Sequence, residues 1–230
     1  MSTASAVPRG LLLTLEGGEG AGKSTLAETL TARAREAGCE VVACREPGGT
    51  ALGERLRDAL LGATANDPSG ASPAPEAELL VFAAARSQLV AEVLRPALGR
   101  GALVVCDRFA DSTTAYQRYG RGLDAALVAA VNEAATGGLA PDLTLLLDLP
   151  PAEGLARANA GEGMGGDYVE REQLTFHERV RAGYAALAAA EPGRWLVLDA
   201  RASPEALADQ AWARLAPLLP VSAPGAAGPI

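Results

Sequence analysis

The sequence predicts an α/β fold in which a five-stranded parallel sheet is flanked by helices. Short, nearly continuous apolar segments alternate along the chain with longer segments whose apolar residues recur every three to four positions. The short segments are typical of strands buried on both faces, and their alternation with helices is typical of a parallel sheet covered on both sides. A length of 230 residues with a hydrophobic share of 49% fits one globular domain.

The first strand is predicted at residues 11–16, where five apolar or threonine residues precede Glu16 and a run of glycines. Leu26, Leu30 and Ala34 recur every four residues, which predicts an amphipathic helix that ends at Gly38. The other strands are predicted at 41–44, 102–106, 143–148 and 195–198. The other helices are predicted near 51–61, 76–94, 124–136 and 171–190, and from a Ser203 cap and Pro204 to about residue 215.

The ends of the chain and one internal segment differ in composition from the rest. We expect a flexible N-terminus at 1–9, one folded domain at 10–216, and a disordered tail at 217–230 that is rich in Pro, Gly and Ala. Part of 62–75 is expected to be disordered as well. Residues 159–166 contain so many glycines that we expect a short mobile lid here, spanning about 157–170.

Charge and hydropathy argue against two classes of partner. No apolar run approaches the roughly 18 residues that span a bilayer, and the N-terminus lacks a signal-peptide pattern, so we expect a cytoplasmic protein with no membrane partner. The net charge of −8 argues against nucleic acid as a partner. Any attraction to an anionic substrate must therefore be local.

A glycine-rich loop between the first strand and the first helix fits the pattern Gly, any four residues, Gly-Lys-Ser/Thr. This is the phosphate loop of P-loop NTPases, in which backbone N–H groups and the helix N-terminus bind the phosphates of ATP. Lys23 would contact the β and γ phosphates, and the Ser24 hydroxyl would bind Mg²⁺. The alternative is a turn that only caps a helix. The predicted ATP-binding residues are Gly17, Gly18, Glu19, Gly20, Ala21, Gly22, Lys23, Ser24 and Thr25.

Lys23 is also the single lysine among 20 Lys plus Arg residues. The chain uses arginine at every other Lys or Arg position. The lysine retained at position 23 therefore indicates a site that needs a compact ammonium group.

Further charged residues follow the second and third strands. Asp107 comes at the end of the third strand, at the sheet edge where ligands bind in such folds, and could join Ser24 around Mg²⁺. It is followed by Arg108, and the alternative for this pair is a surface ion pair. The turn at 45–50, Arg-Glu-Pro-Gly-Gly-Thr, is predicted to hold Arg45 near a phosphate.

Phe82 and Arg86 are four residues apart on a predicted helix and therefore share one face. A ring and a guanidinium so placed could hold a planar base. Core packing of Phe82 is the alternative.

Taken together, these segments resemble the bacterial thymidylate kinases from about residue 10 to residue 215. The resemblance rests on separate motifs in the same order: residues 16–25, 45–50, Glu-Leu-Leu-Val-Phe-Ala-Ala-Ala-Arg at 78–86, Asp-Arg-Phe at 107–109 leading to Ala-Tyr-Gln at 115–117, and the later segments 141–148 and 154–157. It implies phosphorylation of dTMP to dTDP with ATP and Mg²⁺, and a homodimer.

The resemblance also implies roles for individual residues. Glu19 would reach the 3′-hydroxyl of dTMP, and Tyr116 would crowd the 2′ position. Arg45 and Arg108 would hold the phosphate. The base would be bound by stacking on Phe82, by a hydrogen bond from Arg86, and by the nearby side chains of Thr113 and Gln117. Lys23, Arg108 and Arg157 would be the catalytic residues.

The predicted lid departs from the family pattern because it is poor in arginine. Members whose phosphate loop reads Gly-Ala-Gly-Lys usually carry lid arginines that reach the ATP phosphates, whereas this lid retains Arg157 and, just beyond, Arg171. We expect Arg157 to be the transition-state arginine, with pairing to Glu162 as the alternative. The thin lid keeps two other functions open: another pyrimidine (deoxy)nucleotide kinase, or a catalytically weak nucleotide-binding regulator.

Overall fold

The computed structural model describes residues 9–62, 72–161 and 168–219 of the chain. Its five strands form one parallel sheet in the order β2-β3-β1-β4-β5, which confirms the predicted fold class. The strands are β1 at Leu11–Glu16, β2 at Val41–Arg45, β3 at Leu103–Asp107, β4 at Leu143–Asp148 and β5 at Trp195–Asp199.

Helices connect the strands. They are α1 at Lys23–Glu36, α2 at Ala51–Arg57, α3 at Pro75–Leu89, α4 at Arg95–Gly99, α5 at Ala110–Thr113, α6 at Ala125–Thr136, α7 at Pro151–Gly161, α8 at Leu174–Ala190 and α9 at Pro204–Leu215. Wider, π-type turns continue α2 through Asp58–Gly62, join α3 to α4 through Val90–Leu94, and continue α5 through Thr114–Gly120, and a short 3₁₀ turn, Ala216–Leu218, follows α9.

Residues 110–120 form a helical segment that the sequence pattern does not predict. Their Ser, Thr and Tyr residues have low intrinsic helix propensity. Packing against α8 replaces that propensity: a Cβ on Gly120 would meet the Phe176 ring at 2.7 Å, and one on Gly183 would meet the Tyr119 ring at 2.7 Å. Tertiary contact therefore stabilises a helix that the local sequence does not favour.

The sheet is buried on both faces, which is why its strands are almost continuously apolar. Along β1, Leu13 and Leu15 belong to one core cluster, with residues of α1 and α9. Leu12 belongs to the opposite cluster, which includes residues of α3 and of Val90–Leu94. Because alternate residues of β1 serve opposite faces, leucines are needed on both of them.

The register of the sheet brings three strand ends together. Leu15 of β1 and Arg45 of β2 both pair with Asp107 of β3. The phosphate loop after β1 and the segments after β2 and β3 therefore leave the sheet at the same edge, the position where parallel sheets bind ligands.

Several predicted segments lie wholly or partly outside the described residues. They are the N-terminus 1–9, the segment 62–75, the lid 157–170 and the tail 217–230, of which 1–8, 63–71, 162–167 and 220–230 are not described. Within the described ranges, none of the helices has the length and apolar content needed to cross a membrane.

Candidate active site

The phosphate loop joins β1 to α1 as the sequence predicts. Gly22 is the N-cap of α1 in the left-handed region at φ 90°, so the helix begins at Lys23 with the unpaired N–H groups that bind anions. The Lys23 ammonium donates to the carbonyl of Gly18 at 2.8 Å and therefore lies over the loop. Burial, and next the charge of Arg108, lower the pKa of Lys23 from 10.5 to about 8.

The loop also packs backbone against backbone on α7. Gly20 has φ 64°, and a Cβ there would lie 2.1 Å from the carbonyl oxygen of Gly154. A Cβ on Gly154 would lie 2.3 Å from the carbonyl oxygen of Glu19. Only glycine fits at either position, so the phosphate loop and the first turn of α7 are in direct contact.

The two predicted magnesium ligands lie together. The Ser24 hydroxyl donates to a carboxylate oxygen of Asp107 at 2.7 Å. A hydroxyl and a carboxylate are the hard oxygen ligands that Mg²⁺ takes when nucleotide phosphates complete its shell, so the pair fits this ion. Among the described residues, no group of three or more His, Cys, Asp or Glu side chains forms a further metal site.

Arg108 connects the phosphate loop to the segment after β3. Its backbone is left-handed at φ 70°. Its guanidinium pairs with Glu19 at 2.8 Å and donates to the carbonyl of Gly17 at 3.1 Å. Tyr116 donates to the same Glu19 oxygen at 2.7 Å, and Arg108 lies 5.1 Å from the centre of its ring. Burial opposes ionisation of Glu19, but the charges of Arg108 and Lys23 outweigh it and lower the pKa of Glu19 to about 2.

A cavity of about 170 Å³ opens beside this ion pair. It is lined by all the residues predicted to bind the substrate except Arg45, namely Glu19, Phe82, Arg86, Arg108, Thr113, Tyr116 and Gln117. Phe82 is half-buried and also packs against the core cluster that contains Tyr116 and Phe176, so it both lines the cavity and belongs to the core.

Arg86 lines the cavity from a buried position in which most of its N–H groups are already used. It forms an ion pair with Glu46 at 2.6 Å and donates to Asn132 at 2.9 Å, to Thr113 at 2.9 Å and to the carbonyl of Phe109 at 3.2 Å. Only Nη1 keeps an N–H group without a partner among the described residues. Arg86 can therefore offer a base at most one strong hydrogen bond without giving up a contact.

The cavity is lined by Arg57 and not by Arg45, the arginine that the sequence analysis expected near the phosphate. Arg45 is exposed, pairs with Glu54 at 3.2 Å and does not line the cavity. Arg57 on α2 does line it, half-buried, and its guanidinium donates to the carbonyl of Pro47 at 3.1 Å. The sequence pattern does not single out Arg57, because nothing distinguishes it from the other helical arginines.

Arg157 lies on α7, three residues beyond the contact with the phosphate loop. It is exposed, and its Nη1 donates to the carbonyl of Ala200 at 3.0 Å. Glu162, its alternative partner, lies outside the described residues. Arg157 therefore lies on the helix that leads from the loop to the predicted lid.

Comparisons with known proteins give the chain its family. The sequence model described as "Thymidylate kinase" matches residues 15–211. The chain belongs to the thymidylate kinase family. A thymidylate kinase of Synechococcus sp. (strain JA-2-3B'a(2-13)) is 50% identical over 94% of this chain and 98% of its own length. That of Deinococcus radiodurans is 52% identical over 89% and 96%.

A solved structure agrees with the sequence relatives. The crystal structure of thymidylate kinase from Ehrlichia chaffeensis superimposes with a TM-score of 0.72 at 29% identity, covering 91% of this chain and all of that one. The suspected family and the P-loop fold are thereby confirmed.

In this member of the thymidylate kinase family, the buried side chain of Glu16 is linked to Arg108 through two hydroxyl groups. Glu16, the last residue of β1, accepts hydrogen bonds from the backbone N–H of Phe109 at 2.9 Å, from Ser112 at 2.6 Å and from Tyr184 at 2.9 Å. Ser112 and Tyr184 also lie within 3.4 Å of the Arg108 guanidinium. The only signal in the sequence was a glutamate at the end of an apolar strand.

Glu16 is fully buried, and this changes its protonation. Burial, and next the charge of Asp111, raise the pKa of Glu16 from 4.5 to about 7, against the hydrogen bond from Ser112. The folded protein therefore binds this proton more tightly than the unfolded chain. The stabilisation is complete below about pH 4.5 and is lost as the pH rises through about 7.

Glu16→Gln should remove this pH dependence. The amide cannot ionise, yet its oxygen can accept from Phe109 and its NH₂ can donate to the Ser112 and Tyr184 hydroxyls. Relative to the parent, the variant should gain about 1 to 3 kcal/mol of unfolding free energy between pH 5 and pH 8. Urea denaturation across this range measures it, with Glu36→Gln on the exposed end of α1 as the control. A difference that stays constant with pH would contradict the expectation.

Proposed function

We propose that the chain transfers the γ-phosphoryl group of ATP to dTMP, giving ADP and dTDP for dTTP synthesis in the cytoplasm. One observation carries the proposal: the ion pair of Glu19 and Arg108 belongs to the phosphate loop on one side and lines the adjoining cavity on the other. A donor triphosphate on the loop and an acceptor nucleotide in the cavity would thus meet at one pair of charges. The family match is the independent support.

On the donor side, the loop and the start of α1 would bind the triphosphate. The backbone N–H groups of residues 17–25 would contact the phosphate oxygens. Lys23 would exchange its hydrogen bond to the Gly18 carbonyl for one to a phosphate. Ser24 and Asp107 would hold Mg²⁺ with those phosphates, and the bound ion would neutralise part of their charge.

On the acceptor side, the cavity offers a distinct group for each part of dTMP. Glu19 is proposed to contact the 3′-hydroxyl, and Tyr116 to exclude a 2′-hydroxyl. Phe82 would stack on the base. Arg86 would use its remaining Nη1 N–H on the base, beside Thr113 and Gln117. Arg108 would hold the phosphate, together with one further cation.

The reaction needs no general base. The second pKa of a phosphate monoester is about 6, so the attacking oxygen is already ionised near neutral pH. The chain's only histidine, His177, is buried on α8, and burial lowers its pKa. What remains for the protein is to align two anions and to neutralise charge on the transferring group, the part proposed for Lys23, Arg108 and Arg157.

A coupled assay of ADP release tests the function. The protein with ATP and Mg²⁺ should phosphorylate dTMP with a kcat/KM well above those for dUMP, dCMP and thymidine. Equal efficiency with all four acceptors would support a broad pyrimidine nucleotide kinase instead. Binding of ATP and dTMP without release of ADP would support a regulator.

Arg157→Ala tests the proposed catalytic role of Arg157 in the same assay. If Arg157 stabilises the transition state, kcat should fall about 10³-fold while the affinity for dTMP stays unchanged. A fall of less than about tenfold would show that Arg157 only contacts Ala200 or a lid residue.

Arg57 is the second cation that we propose for the dTMP phosphate, because it lines the cavity whereas Arg45 pairs with Glu54 outside it. Arg57→Ala should raise the KM for dTMP about 10- to 100-fold, the effect of losing a charged hydrogen bond, while the KM for ATP changes little. Arg45→Ala tests the role predicted from the sequence. Arg55→Ala, on the exposed side of the same helix, is the matched control. A larger effect of Arg45→Ala than of Arg57→Ala would reverse the assignment.

The homodimer is proposed to form through α2, α3 and α6. These helices pack side by side and carry the exposed side chains of Leu52, Leu80 and Leu127, which are 45%, 59% and 42% accessible. Sedimentation velocity should give a dimer, and Leu80→Asp should shift it towards monomer because it places a charge in the contact. Leu218→Asp, at another exposed leucine, should leave the dimer intact. A monomeric parent protein would contradict the proposal.

A further inference from the structure

A buried carboxylate on α3 joins three parts of the chain beside the cavity. Glu78 is 1% exposed and accepts four hydrogen bonds. Its Oε1 accepts from Gln117 Nε2 at 2.6 Å and from Arg121 Nε at 3.3 Å, and its Oε2 accepts from Arg121 Nη2 at 3.0 Å and from Tyr168 at 2.8 Å. Every acceptor position of the carboxylate is therefore used, as a buried charge requires.

Glu78 determines which end of the Gln117 amide faces Glu78 and which end is left without a partner. Paired with Arg121, Glu78 is a carboxylate and can only accept hydrogen bonds, so the atom 2.6 Å from it must be the amide nitrogen of Gln117. The amide oxygen is consequently turned away from Glu78. This oxygen is buried and has no hydrogen-bond partner among the described residues, and Gln117 lines the cavity.

An unpaired amide oxygen on a residue that lines the cavity would distinguish the pyrimidine bases if a base reached it. Thymine carries an N–H donor at N3, whereas N3 of cytosine is an unprotonated acceptor. A Gln117 oxygen facing N3 would accept from thymine, but it would oppose the lone pair of cytosine and leave both acceptors unsatisfied.

We propose that Glu78 is a positioning residue for base specificity: by fixing the Gln117 amide with its oxygen towards the cavity, it favours a pyrimidine that carries N3–H over cytosine. The inference rests on the proposed function, since it takes dTMP as the occupant of the cavity. Glu78 itself does not line the cavity. Its effect passes through the orientation of one amide.

Glu78→Gln tests the role. A glutamine at 78 can present either its oxygen or its NH₂ to Gln117, so the amide of Gln117 can rotate and present either end to the base. The ratio of kcat/KM for dTMP over that for dCMP should fall at least about tenfold, mainly through a higher KM for dTMP. A merely structural role would lower both efficiencies alike, and an unchanged ratio would overturn the proposal.

Two further variants separate the contacts of Glu78. Tyr168→Phe removes one hydrogen bond from Glu78 without touching Gln117, so the ratio should stay within about threefold of the parent. Gln117→Leu keeps the ion pair of Glu78 and Arg121 but removes the amide. The ratio should fall in Gln117→Leu, and adding Glu78→Gln to it should lower the ratio no further. If Glu78→Gln does not fold, Gln117→Leu decides alone, and a ratio unchanged in that variant refutes the proposal.

Failure of the proposed function gives a different result. A parent protein that releases no ADP with dTMP refutes the kinase assignment. Calorimetric affinities of the parent and Glu78→Gln for dTMP and dCMP then test the inference on binding alone. A tenfold or greater loss of preference for dTMP supports it, and equal preference in both proteins refutes it.

Discussion

The ion pair between Arg108 and Glu19 is the interaction on which the rest of the site depends. Glu19 belongs to the phosphate loop, and Arg108 follows β3, so the pair links two strand ends across the edge of the sheet. Arg108 adopts a left-handed backbone that costs a non-glycine residue about 1 kcal/mol or more. Its contacts with Glu19 and Gly17, and with the Ser112 and Tyr184 hydroxyls that also bind Glu16, offset that cost. The guanidinium is thereby held in place before any nucleotide binds.

The same device recurs around the cavity. Arg86 pairs with Glu46, and Arg121 pairs with Glu78, both in buried surroundings. A buried ion pair adds little net stability, but it holds each guanidinium in one geometry. An acidic chain can thus bring cations to an anionic substrate without a basic surface. Arg57 differs from these arginines, since within the described ranges its contact is a backbone carbonyl and it forms no ion pair there. Among the described residues, no carboxylate forms an ion pair with its guanidinium.

The sequence was sufficient where local pattern determines structure. The apolar runs placed all five strands to within a residue, because a strand buried on both faces has no polar positions to confuse the pattern. The spacing of the phosphate loop placed Lys23 and Ser24 at the start of α1, and the apolar run before Asp107 placed this residue at the end of β3. Where long-range contact decides, the sequence was insufficient. Residues 110–120 become helical only against α8, and Glu16 gains its role only when Phe109, Ser112 and Tyr184 fold over it.

The direction of a side chain was the hardest property to predict. Arg45 and Arg57 are both arginines near the second strand, and only the folded chain shows which of them faces the cavity. Glu78 was part of a recognisable motif, yet its hydrogen bonds come from Gln117, Arg121 and Tyr168, which belong to other parts of the chain. A sequence pattern contains no information about contacts between side chains that are distant in the chain.

The backbone contact of Gly20 with Gly154 couples movements of the phosphate loop to α7. The contact lies in the first turn of the helix, where no side chain separates the two backbones. From Gly154 to Gly161 the helix extends about 10 Å at 1.5 Å per residue, so a tilt of about 10° would move its far end by roughly 2 Å. Arg157 lies between this contact and the far end of the helix. A displacement of the phosphate loop too small to alter its own contacts would therefore be enlarged at the end of the helix that leads into the predicted lid.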